Sequence, residues 1–157
     1  MSVEAKLMEL GLQLPPPPPA VAAYAPWMRT GKLILTSGQL PWKNGELAFS
    51  GKCGAEITED QGYQAARQCA INAISQLKAA AGDLDRVRQI VKVDGYVHTA
   101  PGFRGHPQVL NGASELIRSV FGERGRHARL AVGIDEMPLN AAVQICVTAE
   151  IEDYPIS

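Results

Sequence analysis

Near the C-terminus the chain reads Ala141-Ala142-Val143-Gln144-Ile145-Cys146-Val147-Thr148-Ala149-Glu150-Ile151, and from Val143 onward apolar and polar side chains alternate. A period of two is that of a β-strand with one buried face, because successive side chains point to opposite sides of the sheet. We therefore predict a strand here whose apolar face lies under helices. The predicted buried side chains are Val143, Ile145, Val147, Ala149 and Ile151, and the predicted opposite face carries Gln144, Cys146, Thr148 and Glu150.

Upstream of this strand, the chain predicts further strands interleaved with helices. Thr58 and Gln61 have the spacing of a helix capping box, and Gly82 is suited to end the helix that follows. The predicted strands are Val21–Arg29, Lys32–Ser37, Val87–Thr99 and Arg129–Ile134, and the predicted helices run from Thr58 to Gly82 and from Pro107 to Phe121. This order, ββαβαββ, predicts an α+β fold with two helices on one face of an antiparallel or mixed sheet.

The N-terminal residues form a separate segment in this prediction. A short helix is expected over Ser2–Leu12, and Pro15–Pro19 favours an extended polyproline segment that carries this helix away from the core. A length of 157 residues is typical of a single domain. We therefore divide the chain into an N-terminal helix and proline-rich segment, residues 1–20, and one folded domain, residues 21–157.

Composition and charge exclude several classes of function. With 15 basic and 16 acidic side chains the net charge is −1, so bulk electrostatic attraction to nucleic acid is not expected. No apolar run approaches the roughly 20 residues that span a bilayer, which argues against a membrane protein. The cysteines, Cys53, Cys69 and Cys146, lie far apart in the sequence, which disfavours a disulfide framework and predicts a reducing, cytoplasmic location.

Common motifs of catalytic and metal sites are absent from the sequence. We find no P-loop, GxGxxG, HExxH, GxSxG or EF-hand pattern, which removes the usual nucleotide, metalloprotease, hydrolase and calcium interpretations. His98, His106 and His127 have no carboxylate or cysteine at a ligand spacing, so no metal is expected.

Arg129 is the strongest candidate for a ligand contact. If Leu130, Val132 and Ile134 are buried, Arg129 and Ala131 face the polar side of the sheet. A tight hairpin between the last two strands would then place Arg129 near Cys146 and Ala131 near Gln144. A guanidinium there suits a carboxylate, because its forked donors match both oxygens. An interface salt bridge, to Glu150 or to another subunit, is an equally weighted alternative.

Several short stretches together resemble the YjgF/RidA family, also labelled endoribonuclease L-PSP. They are Thr36-Ser37-Gly38-Gln39 after an apolar strand, His127-Ala128-Arg129, Met137-Pro138, and the strand containing Val143-Gln144-Ile145. The resemblance implies a chorismate-mutase-like fold and a homotrimer whose sheets form a central barrel with clefts between subunits. In active members the clefts hydrolyse reactive 2-imino acids and their enamine tautomers to 2-oxo acids and ammonia, without metal or organic cofactor.

The resemblance also implies roles for particular residues. Arg129 would grip the substrate carboxylate, Tyr24 would close the pocket, the backbone around Ser37 and Gly38 would contact the ligand, and Asn111 would contribute from a neighbouring element. Arg124 and Arg126 lie close to Arg129 in the sequence, around Gly125 and His127, and this basic cluster is interpreted as an anion pocket.

The last strand departs from the family pattern. Where deaminase members carry Glu-Ile-Glu, this chain carries Gln144-Ile145-Cys146, and Gln144 can orient water but cannot take its proton. A missing general base typically costs ~10²- to 10⁴-fold in rate. Cys146 is a candidate substitute base or nucleophile, or else a small packing residue.

These observations leave three functions open. The first is an imine or enamine deaminase that hydrolyses C=N bonds. The second is a non-catalytic, regulatory binder of a small carboxylate metabolite, which Gln144 and Cys146 fit better. The third, an endoribonuclease or translation inhibitor, is disfavoured by the near-zero net charge and by the absence of a basic stripe with stacking aromatics.

Overall fold

A computed structural model describes residues 1–153 of the chain, so the last four residues of the predicted domain lie outside the described part. The helices are α1 (Val3–Glu9), α2 (Glu59–Ala81) and α3 (His106–Phe121). The strands are β1 (Trp27–Thr30), β2 (Leu33–Thr36), β3 (Trp42–Lys43), β4 (Glu46–Leu47), β5 (Val87–His98), β6 (Ala128–Ile134) and β7 (Val143–Ile151).

The main sheet has five strands in the order β1-β2-β7-β5-β6. β5 and β6 are parallel, and the other neighbours are antiparallel, so the sheet is mixed. Parallel neighbours need a crossover, which α3 supplies between β5 and β6. The predicted α+β fold and the ββαβαββ order of the main sheet are confirmed.

The central strand β7 has the predicted alternation of burial. Its odd-numbered residues from Val143 to Ile151 are buried, while Gln144 and Cys146 are half-buried on the other face. α2 packs on the buried face and begins with the predicted capping box, in which the Thr58 side chain accepts from Gln61 and the Gln61 side chain accepts from the Thr58 backbone. Gly82 caps its C-terminus with a positive φ.

The prediction that the polyproline segment carries α1 away from the core is wrong. Val3 and Leu7 are 1% and 2% exposed and belong to the main hydrophobic core. The proline run is anchored on α2, because Ser75 Oγ donates to the carbonyl of Pro15 at 2.9 Å and Gln76 Nε2 donates to that of Pro18 at 2.7 Å. A proline has no N–H but keeps its carbonyl acceptor, so side-chain donors can fix such a segment.

The predicted strand over Val21–Arg29 is shorter in the structure. β1 begins at Trp27, and Tyr24 lies in the preceding irregular segment with its side chain about half exposed. The segment after β2 contains a small hairpin, in which β3 and β4 pair around Asn44 and Gly45, both with positive φ. Such a turn is favoured by Asn-Gly sequences.

The face assignment predicted for β6 is also wrong. Arg129 pairs with Val93, which is fully buried under the helices, so Arg129 and Ala131 lie on the helix-covered face. Leu130 lies on the open face and is 40% exposed. The physical reason is the close approach of α3, because a Cβ built at Gly95 or Gly133 would overlap the side chains of Leu110 and His106 respectively. Ala131 and Gly133 therefore face α3 beyond Arg129, and the apolar Leu130 and Val132 face outward.

Two kinds of feature, a membrane-spanning helix and a metal-binding cluster, are absent from residues 1–153. No helix among them is both long and apolar enough to cross a bilayer. Nor do these residues bring together three or more His, Cys, Asp or Glu side chains in an arrangement that could hold a metal ion.

Candidate functional site

The residues predicted to form one site lie in two places. β5 separates β6 from β7, and the side chain of Arg129 lies on the opposite face of the sheet from Gln144 and Cys146. The predicted contacts of Arg129 with Cys146 and of Ala131 with Gln144 are therefore wrong. The two strands are consecutive in sequence, but the connection between them crosses over β5 instead of forming a hairpin.

Gln144 is held tightly beside the end of β2. Its Oε1 lies so close to Gly38 that a Cβ at this position would overlap it, and its Nε2 is 3.5 Å from the sulfur of Met137. Gln39 and Ile145 exchange two backbone hydrogen bonds, with N–O distances of 2.7 and 3.0 Å, which fix the segment after β2 against β7. Gln144 is thus a packed side chain in this chain.

The space beside this group is small. Tyr24, Ser37 and Gly38 lie together, and the cavity that they line has a volume of only about 20 Å³. The proline-rich segment forms another wall through Pro18 and Pro19. A cavity of this size holds about one water molecule, so the single chain leaves no room there for a metabolite.

Cys146 is a poor candidate for a base or nucleophile. It is half-buried and pairs in register with Asp94 of β5. Burial raises the pKa of the Cys146 thiol, and the nearby Asp94 charge raises it further. The thiolate is the nucleophilic form, so both effects reduce reactivity near neutral pH.

A basic cavity lies on the helix-covered side, where α3 meets the start of β6. It has a volume of about 270 Å³ and is lined by Ser114, Arg118, Arg126, His127 and Arg129. We call it the arginine pocket. Ser114 and Arg118 are four residues apart on α3 and so share one helix face.

Arg129 connects β6 to α3 at the base of this pocket. Its Nη1 donates to Asn111 Oδ1 at 2.9 Å and to Ser114 Oγ at 3.2 Å, and its Nη2 donates to the Pro107 carbonyl at 3.4 Å. Asn111 therefore lies beside Arg129 and orients the guanidinium. The guanidinium has further N–H groups that these three bonds do not use.

His127 lies between a carbonyl and a hydroxyl. Nδ1 is 2.7 Å from the Gly125 carbonyl, which can only accept, so we assign the proton to Nδ1. Nε2 is then free to accept from Ser114 Oγ, 2.8 Å away. Burial lowers the pKa of His127, and the charges of Arg129 and Arg118 lower it further against the opposing effect of the Gly125 hydrogen bond.

Arg118 and Arg126 flank the opening of the pocket. Glu123 approaches both, with its oxygens 4.0 Å from Arg118 Nη2 and 3.7 Å from Arg126 Nη1. All three side chains are more than half exposed, so solvent weakens these ion pairs and leaves both guanidinium groups able to meet an anion. Arg124, which was grouped with this basic cluster in the sequence, instead donates to the carbonyls of Asp85 and Val87.

A larger cavity of about 470 Å³ lies between the proline run and the β3–β4 hairpin. Its walls are Pro15–Pro19, Val21, Trp42, Lys43, Asn44, Gly45 and Asn72. The amide nitrogen of Asn72 is committed to the carbonyls of Leu40 and Trp42, both at 2.9 Å. Among the described residues of this lining, Lys43 alone is charged. The arginine pocket, with three guanidinium groups, is therefore better suited to bind an anion.

Replacing Gly38 by Ala should destabilise the chain by about 1–3 kcal/mol, because the new methyl group overlaps Gln144. The φ of Gly38 is not positive, so the cost arises from the overlap and not from backbone strain. Urea denaturation measures the effect. In a chain that already carries Gln144→Ala, the Gly38→Ala substitution should cost much less stability, because the overlapping side chain is gone. Equal costs of Gly38→Ala in the wild-type and Gln144→Ala backgrounds would refute the contact.

Comparison with known proteins places this arrangement in a family. Residues 4–151 match the family described as YjgF/chorismate mutase-like, putative endoribonuclease. Protein TCP17 of Trypanosoma cruzi is 42% identical over 152 residues, which cover 96% of this chain and 95% of TCP17.

Two solved structures are similar over nearly the whole chain. The crystal structure of a putative endoribonuclease from Shewanella oneidensis MR-1 has a TM-score of 0.94 at 38% identity and covers 96% of this chain and 100% of its own. The protein Atu1372 of unknown function from Agrobacterium tumefaciens has a TM-score of 0.89 at 42% identity, covering 96% and 92% respectively. The chain therefore belongs to the YjgF/chorismate-mutase-like family.

Proposed function

We propose that this protein binds a small carboxylate-bearing metabolite in the arginine pocket and does not hydrolyse imines at Gln144. The observation that carries the proposal is the convergence of three guanidinium groups on one cavity of about 270 Å³. Among the described residues, those lining this cavity include no Asp or Glu. A small carboxylate would neutralise this concentration of positive charge and accept forked hydrogen bonds from it.

The Gln144 site supports imine hydrolysis poorly. The side-chain amide cannot accept a proton from water at neutral pH, and both of its ends are packed, against Gly38 and Met137. Arg129, the expected carboxylate contact of a deaminase cleft, lies on the other face of the sheet. A carboxylate held by Arg129 would therefore not lie over Gln144 of the same chain.

The family generally forms homotrimers, and we propose the same assembly, with a central barrel, for this chain. The open face of the sheet supports this proposal because it exposes large apolar side chains. Met28 is 64% exposed, and Leu35 and Leu130 are 42% and 40% exposed. Met28 and Leu35 are neighbours on β1 and β2, and Leu130 lies on the same face at the other edge of the sheet. Exposed apolar side chains on one face commonly mark an interface between subunits.

Binding can be tested by titration calorimetry with pyruvate and 2-oxobutanoate. The double variant Arg118→Gln/Arg126→Gln should bind at least about 10-fold more weakly, since hydrogen bonds between charged groups each contribute roughly 1.5–3 kcal/mol. Arg104→Gln is the matched control, because Arg104 is exposed and does not line the pocket. Equal affinity in wild type and the double variant would refute the pocket.

The same preparation should not accelerate ammonia release from 2-iminopropanoate generated in situ. If wild type does accelerate it, and Arg129→Ala abolishes the effect, the protein is a deaminase and our assignment is wrong. RNA binding at physiological ionic strength, measured as a function of salt, would favour the endoribonuclease instead.

Carboxylate affinity should rise as the pH falls from about 7.5 to about 5.5. The free protein keeps His127 neutral, because burial and the charges of Arg118 and Arg129 lower its pKa. A bound carboxylate offsets those charges, together with that of Arg126, and so favours the protonated ring.

Calorimetry in buffers of different ionisation enthalpy measures the proton uptake that accompanies binding. His127→Gln should bind with little pH dependence over the same range. A pH dependence that persists in this variant would assign the proton to another group.

Light scattering should return a mass three times that of one chain. The double variant Leu35→Lys/Leu130→Lys should dissociate, because it places charge on the proposed apolar interface. Met8→Lys is the control, since Met8 is 80% exposed on α1. A monomeric wild type would refute the assembly without affecting the arginine pocket, which lies on the other face of the sheet.

A further inference from the structure

We propose that Ser114 and His127 form a nucleophile and general-base pair, and that the arginine pocket hydrolyses an ester that bears a carboxylate. This inference rests on the proposed function, because the same pocket must first hold the carboxylate. It adds ester hydrolysis as the reaction and carboxylate-bearing esters as the substrate class. The reacting side chain is Ser114 instead of Gln144.

The geometry of the pair carries the proposal. Ser114 Oγ is 2.8 Å from His127 Nε2, within the range in which a base takes a hydroxyl proton. The other ring nitrogen is 2.7 Å from the Gly125 carbonyl, so a third group orients the imidazole. Nucleophile, base and orienting acceptor are the parts from which serine hydrolases are built, on many unrelated folds.

Both side chains are open to a ligand. Ser114 and His127 line the arginine pocket, and each is only partly buried. A serine and histidine packed solely for structural reasons would not need a cavity of about 270 Å³ beside them. A molecule in that cavity lies beside Ser114 and His127.

The surroundings favour the reactive form of each partner. Burial and the two neighbouring arginines lower the pKa of His127, which keeps the ring neutral and able to accept a proton near pH 7. Arg129 Nη1 donates to Ser114 Oγ at 3.2 Å and so stabilises negative charge that develops on this oxygen. Arg118 and Arg126 are then available for the carboxylate and for the oxyanion of the intermediate.

The reaction balances without a cofactor. Ser114 Oγ attacks the ester carbonyl carbon as its proton passes to His127 Nε2, the C–O bond to the leaving alcohol breaks, and the imidazolium returns the proton to that alcohol. Water then attacks the acyl-serine, giving its proton to Nε2, and the free acid leaves as Oγ is reprotonated. The sum is one ester and one water converted to one acid and one alcohol.

The experiment uses the full chain and two chromogenic esters, mono-4-nitrophenyl succinate, which bears a carboxylate, and neutral 4-nitrophenyl acetate. Wild type should release nitrophenol in a burst with the succinate ester, and mass spectrometry should find the succinyl group on Ser114. Ser114→Ala should abolish the burst, and His127→Gln should slow acylation by at least about 100-fold. Ser119→Ala is the matched control, because Ser119 lies exposed on the same helix.

The arginines provide a second readout. Arg118→Gln/Arg126→Gln should raise the half-saturating concentration of the succinate ester at least about 10-fold, with little change for the acetate ester. A merely structural Ser–His hydrogen bond would not produce this difference between the two esters.

Failure of the hydrolase inference and failure of the proposed carboxylate binding give different results. If calorimetry shows carboxylate binding but no acyl group forms on Ser114 of wild type, the hydrolase inference is wrong and the proposed function stands. If no carboxylate binds, the proposed function fails. An acyl group found elsewhere, and equally in Ser114→Ala, also overturns the assignment, and this result does not depend on how well the variants fold.

Discussion

β5 pairs with β7 along one edge and with β6 along the other, and this double pairing determines which side chains can meet. The antiparallel register sets Tyr96 opposite Gln144, while the parallel register sets Val93 opposite Arg129. Because β5 lies between β6 and β7, no residue of β6 is a direct neighbour of a residue of β7. Since β5 and β6 are parallel, α3 must cross the sheet, and this crossing brings Asn111 and Ser114 over Arg129. The arginine pocket is thus a product of the crossover and not of a hairpin.

The concentration of positive charge in the arginine pocket is costly in the absence of a ligand. Like charges repel, and Arg118, Arg126 and Arg129 line this cavity together with the half-buried His127. Burial lowers the pKa of His127, and the charges of Arg129 and Arg118 lower it further. The Asn111, Ser114 and Pro107 oxygens compensate Arg129, but the exposed Glu123 offers Arg118 and Arg126 only distant pairing. Charge that the protein itself leaves poorly neutralised is commonly found where a ligand of opposite charge binds.

The sequence predicted the local features of the fold better than the long-range ones. The period of β7, the capping box at Thr58 and the stop at Gly82 each depend on neighbouring residues, and all three are confirmed. The faces of β6 were reversed because Leu130 and Ala131 are both apolar, and the alternation cannot say which one a helix will cover. That choice depends on how closely α3 approaches at Gly95 and Gly133, which is a property of the tertiary structure.

For the candidate site, too, the sequence predicted the local cluster of residues but not the contacts between distant parts of the chain. Arg124, Arg126 and Arg129 lie close together in the sequence around Gly125 and His127, and this basic cluster predicted an anion pocket. In the structure Arg126, His127 and Arg129 line a pocket, whereas Arg124 does not. Ser114 and Arg118 were missed, although their spacing of four residues on one predicted helix is the signal that could have drawn attention to them. The placement of α1 was missed for a related reason, since Val3 and Leu7 form an apolar stripe that a proline run does not prevent from reaching the core.

Gln144 and the arginine pocket together suggest how one fold accommodates a different site. In this chain the position at which deaminases carry a glutamate holds an amide wedged against Gly38, and the adjoining space is about 20 Å³. Ser114 and His127, which are hydrogen-bonded to each other, lie on the other face of the sheet beside three guanidinium groups. In this chain, guanidinium groups, an imidazole that can accept a proton and an open cavity occur together on the face of the sheet beneath α3.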